Sequence, residues 1–197
     1  RILHDWDQLG MCQVQMNILD DENQATLEGI REAGRRGVGV VVMEPLRGGL
    51  LANPPVDVKA VYDAYAVHRS PVEWGFRYLY AMPEVITILS GMSTWAQVTD
   101  NLRIFDMAKR PTLTDEELAL YQKVKATYLA RTKTRCTGCK YCQPCPMGVQ
   151  IPRIFQGYDA AMLRADSSFK AGYAQIQADH ADASQCIHCR KCKRACP

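Results

Sequence analysis

SPVEWGFRYLYAMPEVITILSGMSTWAQVTDNL, residues 70–102, changes its periodicity twice. It opens with Ser70, Pro71 and Glu73, the order of an N-cap, a first-turn proline and a capping-box acid, so a helix begins there. The β-branched run Val85–Leu89 reads as a strand, and TWAQVTDNLRIFDMA (residues 94–108) returns to helix. The same alternation extends upstream. MCQVQMN (Met11–Asn17) alternates as a short strand. NQATLEGIREAGRRG puts Leu27 and Ile30 on one helical face, with Asn23 as N-cap and Gly37 as stop. VGVVVME (Val38–Glu44) is an unbroken β-branched run, the mark of a strand buried on both faces. PLRGGLLANPP is a Gly/Pro loop, and TDEELALYQKVKATYLA is a last helix, capped by Thr114 with Glu117 at N3.

Strand and helix alternate three times, which builds a parallel sheet with helices outside it. A closed eight-stranded barrel needs about 250 residues. Three buried parallel strands alone leave long unpaired edges. The fold class is therefore α/β, and the sheet is either part of a barrel or completed by another chain.

After residue 130 the chemistry changes. RCTGCKYCQPCP carries Cys136, Cys139, Cys142 and Cys145, and QCIHCRKCKRACP carries Cys186, Cys189, Cys192 and Cys196. Three thiolates at i, i+3 and i+6 let one loop wrap a cubane, and the fourth iron takes its ligand from elsewhere. The second run has the bacterial iron–sulfur spacing, in which the fourth cysteine ligates the other cluster. The proline after each fourth cysteine turns the chain away. The expectation is two [4Fe–4S] clusters, one on Cys136, Cys139, Cys142 and Cys196, the other on Cys186, Cys189, Cys192 and Cys145. Zinc is the competing reading, but it takes two C-x2-C pairs and leaves the third cysteine of each run surplus. Between the runs, IPRIFQGYDAAMLRA and SSFKAGYAQIQADHA read as two short helices.

Charge divides the chain at the same place. Residues 1–130 hold 13 Lys+Arg against 17 Asp+Glu, and residues 131–197 hold 11 against 4. Two domains follow, 1–130 and 131–197. Arg135, Lys140, Arg190, Lys191, Lys193 and Arg194 offset cluster charge, steer an acidic electron carrier, or form a solvated face. Aromatic residues are too sparse among them for a nucleic-acid surface. No apolar run nears the roughly 20 residues that span a bilayer, and no secretory signal opens the sequence. Thiols that hold metal must stay reduced, so a cytoplasmic setting is expected. The sequence starts on Arg1 and ends on Pro197, which suggests a piece of a longer protein.

With CQVQMN, VVVMEPLRGGLL, residues 70–102 and both cysteine runs in hand, the chain resembles the C-terminal portion of an iron–sulfur aldo-keto reductase. The resemblance implies strands six to eight of a TIM (β/α)8 barrel, followed by a small α-helical ferredoxin-like domain. It also implies a nicotinamide cofactor, NADP or NAD, at the C-terminal ends of the strands. Gln13 matches the family's carboxamide-binding glutamine, and Met43 stands where many members stack an aromatic residue. Pro45, Leu46 and Gly48 match the loop beside the pyrophosphate. Gly91, Met92 and Ser93 match the turn at the adenosine phosphate, and Asp100 and Asn101 match the adenine contacts. Gln97 stands where many members place an arginine on the 2′-phosphate.

Taken without the resemblance, each of these residues has a structural role. Gln13 satisfies strand-end backbone groups, Met43 and Met92 fill gaps in the core, and Gly48 and Gly49 make a turn. Cys12 is a buried hydrophobe. His188 either tunes a cluster by hydrogen bonding or is an exposed loop residue. The family's Asp, Tyr, Lys and His catalytic set lies on the first half of the barrel, so no residue here is assigned to catalysis.

Two functions follow. One is a nicotinamide-dependent oxidoreductase that acts on a small carbonyl substrate or a redox carrier, with the missing barrel half supplied by the same or another chain. The other is a non-enzymatic ferredoxin-like electron-transfer or interaction module. Hydride moves two electrons and a cubane takes one, so the clusters serve transfer, structure or sensing.

Overall fold

The computed structural model describes residues 2–6, 8–22, 25–106, 110–134, 136 and 138–196. The chain divides into two compact units, Arg1–Ala126 and Thr127–Pro197. In chain order the first unit contains α1 (Ile2–Asp5), β1 (Met11–Gln15), α2 (Thr26–Arg35), β2 (Gly39–Met43), α3 (Val56–Asp63), α4 (Pro71–Tyr80), β3 (Val85–Ile88) and α5 (Trp95–Phe105). Helix α6 (Asp115–Arg131) runs from the first unit into the second. The second unit continues with α7 (Ile151–Arg164), α8 (Ser168–Ala178), a 3-10 turn (Ala183–Gln185) and α9 (Lys191–Ala195).

The three strands form one parallel sheet in the order β1-β2-β3. Central β2 is buried on both faces, with Val40, Val41 and Val42 all in the core. Helix α2 packs on β2 and α4 packs on β3. The outer edges of β1 and β3 have no strand partner among the described residues, and Met11 and Ile86 stand exposed there. The register shifts between Val40 and Val41, and Ile86 lies over Gly39, where a Cβ would meet its Cδ1 at 2.6 Å.

Capping explains where the helices start and stop. Gly37, at φ +71°, lets the Val38 amide donate to the Ala33 carbonyl at 2.9 Å and closes α2 in a left-handed turn. The expected N-cap, Asn23, lies outside the described residues. The Ser70 hydroxyl accepts from the Glu73 amide at 3.0 Å, but the Glu73 carboxylate pairs with Arg69 and Arg103 and does not complete the box. Thr114 and Glu117 do form the reciprocal box at α6. Helix α3 was not expected. Pro55 at its N-cap reads as loop, and only Val58 and Tyr62 are buried along it.

Trp74 sits at the centre of the first unit, fully buried among Tyr62, Tyr65 and Tyr121. Beside it, the Tyr78 hydroxyl donates to Asp21 at 3.1 Å, and Lys125 donates to the same carboxylate. Burial first, then the Asp21 charge, pushes the Tyr78 pKa up, and burial pushes the Tyr121 pKa up as well. Unfolding releases both hydroxyls to titrate near the ordinary tyrosine pKa of about 10. Above that pH the folded state binds more protons than the unfolded state, so this stability, fully present below about pH 10, is lost as pH rises beyond it. Denaturant melts at increasing alkaline pH are expected to show that fall, and Tyr78→Phe to make it shallower. A flat profile up to the alkaline limit of the melts contradicts the burial of both hydroxyls.

In the second unit α7 and α8 form a helical hairpin. The Phe169 ring packs against Tyr158 and Tyr173, and Gly157 leaves room for it. At the open end of the hairpin, the Gln150 amide donates to the Ala181 carbonyl at 2.9 Å. The segments before α7 and after α8 therefore emerge together, and these segments carry the two cysteine runs. No helix among the described residues is long and apolar enough to cross a membrane.

Candidate functional site

The C-terminal ends of the strands collect the residues expected around a nicotinamide. Gln13 and Met43 lie on adjacent strands, and the Gln13 Nε2 group donates to Met43 Sδ at 3.2 Å. Gly48 and Gly49 follow β2 with φ of +60° and +85°, in a turn where Glu44 and Arg47 also take positive φ. After β3, Asn101 Nδ2 donates to Ser90 Oγ at 2.8 Å and reaches Met92 Sδ at 3.4 Å, which ties α5 to the loop holding Gly91 and Met92. Asp100 pairs with Arg103 at 2.9 Å. Pro45 is buried and Leu46 half-buried, and a Cβ on Gly75 would meet the Leu46 Cδ2 atom at 2.7 Å.

Gln97 is occupied. Its Oε1 accepts from the Ser93 amide at 2.8 Å and the Thr94 amide at 3.2 Å, and its own amide donates to Thr94 Oγ1. This is a complete capping box on α5. The T-x-x-Q order at residues 94–97 signals it in the sequence.

A second set of residues shapes this end of the sheet and was not singled out from the sequence. Asn17 is fully buried. It accepts from the Leu19 and Asp20 amides and donates to Asp20 and to the Glu44 carbonyl at 3.0 Å. Asp20 also accepts from Gln15 and lies 3.5 Å from Arg47. These contacts pin the loop after β1 to the loop after β2. A polar Asn just beyond a strand is a common turn signal, which hides its role here as a bridge.

The cysteines form the more specific arrangement. All nine are free thiols. Cys142, Cys145, Cys186, Cys189 and Cys192 line one cavity of about 170 Å³, walled by apolar residues of α7 and the adjoining loops. Four of these five are the ligands expected for one cluster. Burial raises the Cys142 thiol pKa, and the neighbouring Cys136, Cys139 and Cys192 sulfurs push it the same way. Cys142 therefore lies near Cys136, Cys139 and, from the second run, Cys192. Cys196 does not line the cavity; its amide donates to the Cys192 carbonyl. Among the described residues, no three His, Cys, Asp or Glu close on a single metal ion.

Both loops use the same backbone device. Two residues after the first cysteine, Gly138 and His188 have φ of +73° and +55°, and four residues after it, Lys140 and Arg190 have φ of +64° and +61°. Alternating left-handed residues turn successive amides toward a common centre, a concavity that suits an anionic cluster. The His188 amide donates to Cys186 Sγ at 3.4 Å in this way. Glycine meets the positive φ only at 138. The sequence therefore hides the repeat, since His188 and Arg190 carry the strain without a glycine to mark it.

Polar clamps fix the loops. Asp159 on α7 accepts from the Lys133 and Thr134 amides and the Thr134 hydroxyl, just ahead of the first run. Gln143 accepts from the Cys145 amide at 2.9 Å and donates to the Val149 carbonyl at 2.8 Å. The donor set fits an iron–sulfur cluster. Soft sulfur ligands from two loops surround an apolar hollow, and a cationic core suits such a set.

Comparison with known proteins gives two family matches. The family profile described as aldo/keto reductase matches residues 1–126, and one described as a 4Fe-4S dicluster domain matches residues 135–197. The aldo-keto reductase AKR11C1 from Bacillus halodurans superposes in its holo and apo forms with a TM-score of 0.50 and 25% identity. Each alignment covers 62% of this chain, and 46% and 47% of those two chains. This chain thus spans about half the length of the solved relatives. No curated protein matches it.

Proposed function

We propose, from the premise that this chain belongs to the aldo/keto reductase family, that it supplies the cofactor end and the electron-transfer domain of a nicotinamide-dependent oxidoreductase. The tail, residues 131–197, holds two [4Fe–4S] clusters. Residues 1–130 hold strands six to eight of the barrel, and the remaining strands come from the same or another chain. The protein works in the cytoplasm on a small carbonyl substrate or a redox carrier. When bound, the clusters supply one-electron transfer.

The observation that carries this is the single cavity in which Cys145 of the first run joins Cys186, Cys189 and Cys192 of the second. The residues of this chain do the holding. Gln143 orients Cys145, Asp159 fixes the approach to Cys136, and the His188 amide, on a left-handed residue, donates to Cys186 Sγ. Ile151, Ile154 and Phe155 of α7 give the hollow an apolar wall. On the sheet, Gln13 and Asn101 present amides for the nicotinamide and adenine ends, and the Gly48–Gly49 turn gives a pyrophosphate close backbone approach.

Metal and acid-labile sulfide analysis of anaerobically prepared protein is the test. About eight irons and eight sulfides per chain, with a cubane EPR signal after dithionite, are expected. Stoichiometric zinc without sulfide overturns the cluster assignment.

The nicotinamide assignment has its own test. Gln97 offers a neutral amide where a 2′-phosphate would sit, so the wild type is expected to bind NADPH and NADH with similar affinity. Gln97→Arg adds a charge-assisted hydrogen bond of about 1.5–3 kcal/mol and favours NADPH roughly tenfold or more. It also removes the acceptor for the Ser93 and Thr94 amides and so breaks the capping box. Nucleotide titrations followed by protein fluorescence measure both affinities. An unchanged NADPH/NADH ratio removes Gln97 from the site.

A further inference from the structure

We infer that the mouth of the cysteine-lined cavity is a docking surface for a small acidic electron-carrier protein of the flavodoxin class. This rests on the cluster assignment above and adds the surface and the charge of its partner. The distribution of charge in the second unit points to it. Its four acidic residues all accept local hydrogen bonds, and none lines the cavity, although Asp182 adjoins Ala183, which does: Asp159 clamps the Lys133–Thr134 segment, Asp166 and Asp182 accept from Ser168 and Ser184, and Asp179 accepts from Gln175. The cavity lining contains no acidic side chain, but it does contain Arg190 and Lys191. Among the described residues, neither Arg190 nor Lys191 has a carboxylate partner, and nor do Lys140 and Lys193 of the same two loops.

The same mouth exposes apolar side chains. Ile187 is 60% exposed, Phe155 42% and Met147 41%, and all three line the cavity. An apolar centre inside a rim of one charge sign is the anatomy of a transient electron-transfer interface, in which charge steers the encounter and the small apolar contact lets it dissociate. Cys186 is exposed among these residues, so a cluster ligand reaches the surface where the partner sits. One electron passes between the carrier's flavin and the cluster. The flavin changes by one electron and one solvent proton, the cluster changes by one electron, and no bond in the chain is made or broken.

The test measures binding between oxidised partners, which needs no turnover. Iron and sulfide are counted first on every sample. Calorimetric titration of the full chain with an acidic flavodoxin is expected to show binding at low salt that weakens roughly tenfold or more at high salt. Cytochrome c, a basic carrier, is expected not to bind. Lys191→Glu is expected to weaken flavodoxin binding roughly tenfold, with Lys191→Gln between it and wild type. Lys170→Glu on α8, away from the cavity lining, serves as the control and is expected to bind like wild type. Equal affinity for both carriers, salt-independent binding, or an equal loss in Lys170→Glu overturns the docking surface while the iron count upholds the clusters. A chain that takes up no iron and sulfide overturns both. If Lys191→Glu fails to load clusters, Phe155→Ala on α7 and Lys191→Gln carry the comparison, and no change in either contradicts the proposal.

Discussion

Cys145→Ala is expected to lower the iron content from about eight per chain to about four, and Cys189→Ala to do the same. The decisive result lies in the double variants. Cys145→Ala with Cys189→Ala is expected to keep about four irons, because both residues serve one cluster. Cys145→Ala with Cys139→Ala is expected to leave almost none, because each change empties a different cluster. If each run instead held its own cluster, the two outcomes would exchange. The first pair is non-additive because both thiols face one cavity. Iron, sulfide and EPR intensity are each read on anaerobic samples, and a zinc-loaded chain fails all of them.

Trp74→Ala is expected to cost about 3–5 kcal/mol, a large part of the roughly 5–15 kcal/mol that holds an ordinary domain together. The ring is stacked on Tyr62 at 6.2 Å, meets Tyr121 edge-on at 5.8 Å, and carries the Arg69 guanidinium 4.4 Å above it. Removing it opens a cavity and strands all three neighbours. Trp74→Phe separates volume from chemistry. The Trp74 Nε1 group is buried with no acceptor among the described residues, so the phenyl ring gives up no hydrogen bond, leaves a smaller cavity and is expected to cost clearly less than Trp74→Ala. Urea unfolding followed by far-UV circular dichroism distinguishes the two variants. A mild Trp74→Ala would mean that the aromatic cluster does not hold the unit.

The sequence shows more clearly where elements lie than which polar groups join them. Val38–Glu44 and the helix from Ser70 are local signals, because β-branching and capping act within a few residues. The half-formed cap at Glu73 shows the limit. Arg69 is close in sequence, but Arg103 comes from 30 residues away and draws the carboxylate outward. Asn17 and Asp20 escaped notice for a similar reason, since their partners, Glu44 and Arg47, lie on another loop. In the tail, cysteine spacing already suggested ligation across the two runs. Spacing does not reveal that His188 and Arg190 repeat the backbone turns of Gly138 and Lys140. Nor does it reveal that Asp159, an ordinary helix residue by pattern, holds the entry to the first run.

The α7–α8 hairpin also bears on how the protein is made. Cys145 and Cys186 are neighbours in the cavity but stand on either side of the hairpin in the sequence. At about 5–20 residues per second, a ribosome finishes the first run several seconds before the second. During that interval the early thiols are a half-built site, open to oxidants and to stray metal. Iron–sulfur delivery must either wait until the second run is made or shield the first loop until then. With the proposed ligand sets, truncation between α7 and Cys192 leaves no complete cluster, only reactive sulfur.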